Sequence, residues 1–148
     1  MSAGYAGTPL PKKLGVKPHH NALLIGVPAE IGEQAQYDSF ANRTLAASLA
    51  VPGFSVACAS GPFNYVHVFE KDAAALEGAI DLLRRSLVPN GMIWASWPKK
   101  ASKVPTTLSE DVIRAMALGH GLVDIKVCAV DAVWSGLKLV IPVADRLK

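Results

Sequence analysis

Lys99, Lys100 and Lys103 stand together in Trp97-Pro-Lys-Lys-Ala-Ser-Lys103, and no acidic residue occurs from 82 to 109. Ammonium groups at that density attract anions, and a phosphate or carboxylate is the ligand they suit. Just beyond them, Thr107-Leu-Ser-Glu110 has the pattern of a capping box, so a helix opening there would add its positive end to the attraction. The segment Thr8-Pro-Leu-Pro-Lys12-Lys13 supplies another hydroxyl and two more ammonium groups. A short lysine-bearing stretch rich in Gly and Pro gains little from packing alone, and it is expected to fold back onto the same face. Thr8, Lys12, Lys13, Lys99, Lys100 and Lys103 are therefore the expected anion-binding residues. The competing reading is a solvated lysine pair and a frayed chain start.

Other chemically capable side chains form no set. His19 and His20 are neighbours before the first strand; alternation turns them to opposite sides, so they cannot share a metal, and both are expected at the surface. His67 within a strand and His120 at a helix end read as structural. Cys58 and Cys128 lie 70 residues apart in apolar surroundings and read as free, structural thiols in a reducing compartment. Asp124 and Asp131 flank one strand with opposite parity, which rules out a paired acid and base. Ser135 in Trp134-Ser-Gly lacks the strand-turn-helix setting of a nucleophilic serine. No catalytic set, metal-ligand spacing or cofactor motif is legible, and a base-stacking pattern of alternating basic and aromatic residues is absent.

These residues need elements to place them. Over 148 residues, 51% hydrophobic and 18% charged, the composition fits one folded domain (21–148) preceded by an irregular arm (1–20) holding at most a short turn before Gly15. Thr44 to Phe69 is free of charge, but Pro52-Gly53 and Gly61-Pro62 cut it into pieces far below the roughly 20 apolar residues of a membrane span. The start has no apolar core after its lysines, so a cytoplasmic location is expected. Asn21 to Val27 reads as a strand covered on both faces. In 28–50, Phe40, Leu45 and Leu49 are compatible with a helix ending before Pro52; Phe54 to Ala59 and Phe63 to Phe69 read as strands. Leu76, Ile80, Leu83 and Leu87 mark a helix capped by Asp72 and stopped by Pro89-Asn90-Gly91. Met92 to Trp97 is a strand, a second helix runs from the capping box to Gly119 or Gly121, and Val123 to Val130 with Leu137 to Val143 form an antiparallel hairpin. Trp94 and Trp97 should face opposite sides of the sheet. This alternation makes a small α/β, Rossmann-like domain, with a mainly parallel sheet, helices on both faces and a C-terminal antiparallel hairpin. Lys126 and Lys138 guard the hairpin edge, which reads equally as a surface for a second copy of the chain.

Two resemblances follow. Gly4-Tyr-Ala-Gly-Thr-Pro-Leu, Trp97-Pro-Lys-Lys-Ala-Ser102 and Trp134-Ser-Gly-Leu-Lys138 resemble a family of small bacterial proteins defined only as a domain of unknown function, departing from its pattern at Ala6 and Thr107. That likeness implies no activity. Leu87-Val-Pro-Asn-Gly91 leading into a strand, with the closing hairpin, is similar to the later half of class I S-adenosylmethionine-dependent methyltransferases, which implies that cofactor. The chain departs from those enzymes in its first loop, Gly26-Val-Pro-Ala-Glu-Ile-Gly32, which has no G-x-G, and in Cys58-Ala-Ser60, where a carboxylate would hold ribose hydroxyls. The sequence therefore reads as a non-catalytic binder of an anionic small molecule at the loop after the 92–97 strand. The alternatives are a reduced methyltransferase-like enzyme, and a nucleic-acid or protein-interaction module using the basic segments, of which nucleic acid is the less favoured partner. No membrane partner is expected.

Overall fold

The run Ala22-Leu-Leu-Ile25 is buried on both faces, which requires a strand inside a sheet with cover above and below. In the computed structural model, which describes residues 8–146, it forms β1 (Asn21–Ile25) in a six-stranded sheet of order β2-β1-β3-β4-β6-β5. The other strands are β2 (Asn42–Ala46), β3 (Phe63–Phe69), β4 (Leu87–Pro98), β5 (Val123–Ala129) and β6 (Trp134–Val140). The first four pair in parallel, and β6 runs antiparallel to both β4 and β5. The sheet is thus mainly parallel with an antiparallel hairpin, as the alternation of elements predicts.

Period-two alternation splits the core in two. Leu23 and Ile25, Val66 and Val68, and Ile93, Ala95 and Trp97 point to one face. There they pack under α3 (Gly53–Cys58), α4 (Ala73–Arg85) and α5 (Glu110–Gly119). Ala22, Leu24, Tyr65, Phe69 and Trp94 point to the other, against α1 (Leu10–Lys13), α2 (Ala29–Gln34) and a 3-10 turn at Tyr37–Ser39. Trp94 and Trp97 do lie on opposite faces, both buried. Trp94 has no exposed surface, and its Nε1 donates to the Leu14 carbonyl at 2.9 Å. That bond, with the fully buried Leu14 side chain, fixes the arm to the sheet.

Caps set the helix starts. Asp72 accepts from the Ala75 N–H at 3.1 Å, as its position predicts. The start of α5 differs from expectation by two residues. Ser109 Oγ is the cap, accepting from the Val112 N–H, whereas Thr107 Oγ1 accepts from the Ala73 N–H at 2.7 Å and stitches the loop to α4. Thr107 is drawn away because the orphan donors at the start of α4 lie within its reach. Arg114 joins Glu110, Asp111 and Asp124, tying α5 to β5.

Four further expectations are corrected. The helix through Leu76 ends at Arg85, and Leu87 with Pro89-Asn90-Gly91 belongs to β4, not to the helix and its stop. Phe54 to Ala59 is a helix, not a strand: Phe54, Ala57 and Cys58 recur at helical spacing and all turn into the core. Residues 28–50 hold no single long helix, because Phe40 and Leu49 enter opposite cores and Leu45 lies in β2. His20 is buried, stacked on Tyr65 at 5.8 Å and near Phe40 at 6.0 Å. Alternation leaves only His19 outside. Burial lowers the pKa of His20, helped by His19 and Lys17.

The sheet has two edges. β2 is five residues long. On β5 the pairing register shifts between Asp124 and Lys126, a bulge at Ile125, and Lys126 Nζ donates to the Lys13 carbonyl. Lys138 lies on β6, inside the sheet rather than on its edge.

Candidate functional site

Because α2 follows β1 on one face and α4 follows β3 on the other, the chain direction switches between these neighbouring strands, and their carboxyl ends are where an open α/β sheet places a ligand. Gly26 ends β1 with φ of +64°, and its N–H donates to the Ala46 carbonyl at 2.9 Å. A Cβ there would lie 3.3 Å from the Phe69 carbonyl and 3.4 Å from that of Ala47. The ends of β1, β2 and β3 therefore converge on a residue that must be glycine, for its backbone conformation and for want of space.

From this knot a hollow of about 830 Å³ opens between α2 and β2. Register explains its floor: Arg43 and Leu45 pair with Ala22 and Leu24, so they point to the same face, where Leu45 is left 68% exposed. Gly26 to Ala29, Glu33, Tyr37 and Asp38 also line it.

Tyr37 also belongs to a buried polar chain. Its hydroxyl is hydrogen-bonded to Tyr65 Oη at 2.7 Å and to His67 Nδ1 at 2.5 Å, and His67 Nε2 to Ser96 Oγ at 2.7 Å. All four side chains are nearly or fully buried. Burial alone pushes the His67 pKa down to about 3, so the ring is neutral at ordinary pH, one nitrogen donating and the other accepting. Burial raises the pKa of both tyrosines. The chain satisfies its polar atoms and leaves no charged base.

The expected anion-binding lysines lie elsewhere on the carboxyl edge. The Lys99 N–H donates to the Val133 carbonyl at 2.8 Å, Lys100–Ser102 is a 3-10 turn, and Lys103 has φ of 62°. Lys13 Nζ donates to the Ala129 carbonyl at 3.0 Å. The arm and the 99–103 loop thus meet the β5–β6 turn from two sides, Lys13 by its ammonium group and Lys99 by its backbone. Lys12, Lys100, Lys103 and Thr8 are exposed. None of the six lines the hollow at β2, or the shallow one of about 540 Å³ between Lys71 and Thr107.

Remaining side chains have structural duties. Asp131 accepts from the Val133 and Trp134 N–H groups at 2.8 and 2.7 Å. His120 sits between Asp81 and Glu77, which raise its pKa. Cys58 and Cys128 belong to the cores of opposite faces and are free thiols. Among the described residues no cluster of three or more His, Cys, Asp or Glu could hold a metal, and no helix is long and apolar enough to cross a membrane. Sequence reasoning missed the Tyr37–His67–Ser96 chain and the hollow. The available signal was parity: Tyr65 and His67 are two apart, and so are Trp94 and Ser96, which brings four polar or aromatic groups onto one buried face.

No protein-family model and no curated protein matches the chain. Solved structures do. A SAM-dependent methyltransferase from Aquifex aeolicus superposes with a TM-score of 0.62 at 14% identity, over 86% of this chain and 85% of that one. A ribosomal-protein methylase from Lactobacillus delbrueckii gives 0.58 at 14% identity, over 87% and 73%. Magnesium protoporphyrin IX methyltransferase from Synechocystis, with bound SAH, gives 0.54 at 13%, over 86% and 76%. At these identities the likeness is one of fold, and the fold is methyltransferase-like.

Proposed function

We propose that the chain is a non-catalytic binder of a small amphipathic molecule, built on a methyltransferase-like fold and holding its ligand in the hollow between α2 and β2. The observation that carries this reading is the hollow itself, about 830 Å³ at the carboxyl ends of β1 and β2, lined by Leu24, Val27 and Leu45 with Glu33, Asp38 and Arg43 as its charged groups. Pockets of this size with few polar groups suit drug-sized ligands. Leu24, Val27 and Leu45 take an apolar body, and Glu33 and Asp38 accept from an amine or hydroxyl.

S-adenosylmethionine does not fit this site. The close approach at Gly26 is used up by the carbonyls of Ala47 and Phe69, Pro28 withholds an N–H at the start of a six-residue α2, and β2 ends in Ala46-Ala47-Ser48 without a carboxylate for ribose.

Amide NMR tests the reading. An arylalkylamine such as phenethylamine should shift the amides of Gly26, Val27, Ala46 and Ala47 saturably, and Leu45→Asn should weaken binding about tenfold by wetting the floor without adding a charge that attracts the amine. Saturable binding of S-adenosylmethionine at millimolar concentration would establish the enzyme reading instead. Amine binding that ignores Leu45→Asn would remove the hollow from the site. A second reading keeps an anion at Lys99, Lys100 and Lys103, supported by the meeting of the Lys13 arm and the Lys99 loop at one turn. In it, phosphate shifts residues 99–103, and Lys99→Ala with Lys100→Ala abolishes the effect.

A further inference from the structure

Three arginines meet at the opposite, amino-terminal end of the sheet. Arg84 and Arg85 lie in the last turn of α4, and Arg146 comes from the segment after β6; together with Leu87, Pro89, Ile141 and Asp145 they line a hollow of about 210 Å³. That volume is below the roughly 300 Å³ of the smallest drug-sized pockets, and it suits a compact ion.

Their orientation is set by the main chain. Arg84 Nε donates to the Gly121 carbonyl at 2.9 Å and Arg146 Nε to the Ile141 carbonyl at 2.8 Å, while Arg85 Nε has a longer bond of 3.4 Å to the Asp81 carbonyl. Backbone thus holds each guanidinium by its Nε corner. Among the described lining residues Asp145 is the one carboxylate beside three guanidinium groups, whereas Arg114 alone has three acidic partners. Helix-dipole complementarity accounts for basic residues at the end of α4. It does not account for Arg146, which arrives from another element.

We propose that this hollow binds a phosphate monoester group. A tetrahedral dianion can accept paired N–H donors from planar guanidinium forks, which a single ammonium cannot offer. With Asp145 counted, the lining carries an excess of two positive charges, matched to the dianion. The site is independent of the hollow at β2.

The test is a titration of the full chain with inorganic phosphate at low ionic strength, read by amide NMR. The amides of Arg85, Leu87, Ile141 and Arg146 should shift saturably. Affinity should rise with pH through neutrality, as the second proton of inorganic phosphate leaves, while sulfate should show no such rise. Arg85→Gln and Arg146→Gln should each weaken binding about tenfold, and Asp145→Asn should tighten it. Arg85 is exposed, so its variant keeps the test valid if Arg146→Gln unfolds, which a melting curve shows. Shifts that do not saturate, that fall only on residues 99–103, or that survive Arg85→Gln unchanged overturn the proposal. Tighter binding of a single-stranded oligonucleotide spreading onto residues 99–103 also overturns it, in favour of a polyanion surface.

Discussion

Acid should unfold this protein partly through one ring. His67 has no exposed surface, and its pKa in the folded chain lies near 3, against an ordinary value of 6.5. Between those values the unfolded chain holds a proton on His67 that the folded chain refuses, so stability rises with pH across this window and is lost as pH falls through it. The slope is about 1.4 kcal/mol per pH unit for one proton. Because the unfolded ring is only half protonated at pH 6.5, moving from there to pH 4.5 should cost about 2 kcal/mol, a sizeable part of the 5–15 kcal/mol typical of a domain. Because the ring is wholly buried, solvent screening does not discount the figure. His20 adds to the loss in the same direction. His67→Gln isolates the effect, since glutamine retains a donor and an acceptor for Tyr37 and Ser96 but does not titrate. Urea unfolding at pH 7 should show the variant weaker by about 1–3 kcal/mol. At pH 4.5 the gap should have moved by about 2.5 kcal/mol in the variant's favour, closing or reversing. Parallel pH curves for the two proteins would refute the reasoning.

Glycine positions offer a paired test of packing. A Cβ at Gly136 would lie 3.1 Å from Ser96 Oγ, 3.2 Å from Trp94 Cε3 and 3.3 Å from Val130 Cγ2; two of these neighbours are pinned by the His67 and Leu14 bonds, so Gly136→Ala should cost about 1–3 kcal/mol in urea unfolding. Gly78, exposed in the middle of α4 with nothing within 4 Å of its Cβ position, should respond to alanine with a gain of about 1 kcal/mol. At His120, Asp81→Asn should lower the imidazole pKa measured by NMR, because Asp81 is the first cause of its rise. The stabilisation from that pairing is present below pH 6.5 and fades as pH climbs through the raised value.

Strong periodicity made much of the fold legible. Phe63–Phe69 is read residue for residue, and the stripe from Leu76 to Leu83 with Asp72 at its head locates α4. The short turn before Gly15, the presence of the antiparallel hairpin and the opposite facing of Trp94 and Trp97 also follow from pattern, although β6 starts at Trp134, three residues before the expected Leu137. Short buried elements did not yield. Phe54-Ser-Val-Ala-Cys58 is too brief for its period to separate a strand from a helix, and tertiary burial of Phe54 decides it. The 28–50 segment changes conformation three times within 23 residues, with Gln36 in the left-handed region at φ of 58° as one break. Proximity to Tyr65 and Phe40 buried His20, and no local signal carries that information. The hollow at β2 was invisible for a related reason: an exposed Leu45 becomes a floor only once register turns it beside Leu24.

The bulge at Ile125 bears on behaviour at high concentration. A foreign strand laid along β5 would find donors and acceptors falling out of step there, and it would have to displace an ammonium group already tethered to the arm. The far border, β2, presents only a five-residue template. Ile125 and Val127 can therefore remain half or more in contact with water at little risk of seeding fibrous growth, and a slip that straightened β5 would remove that protection before it unfolded anything.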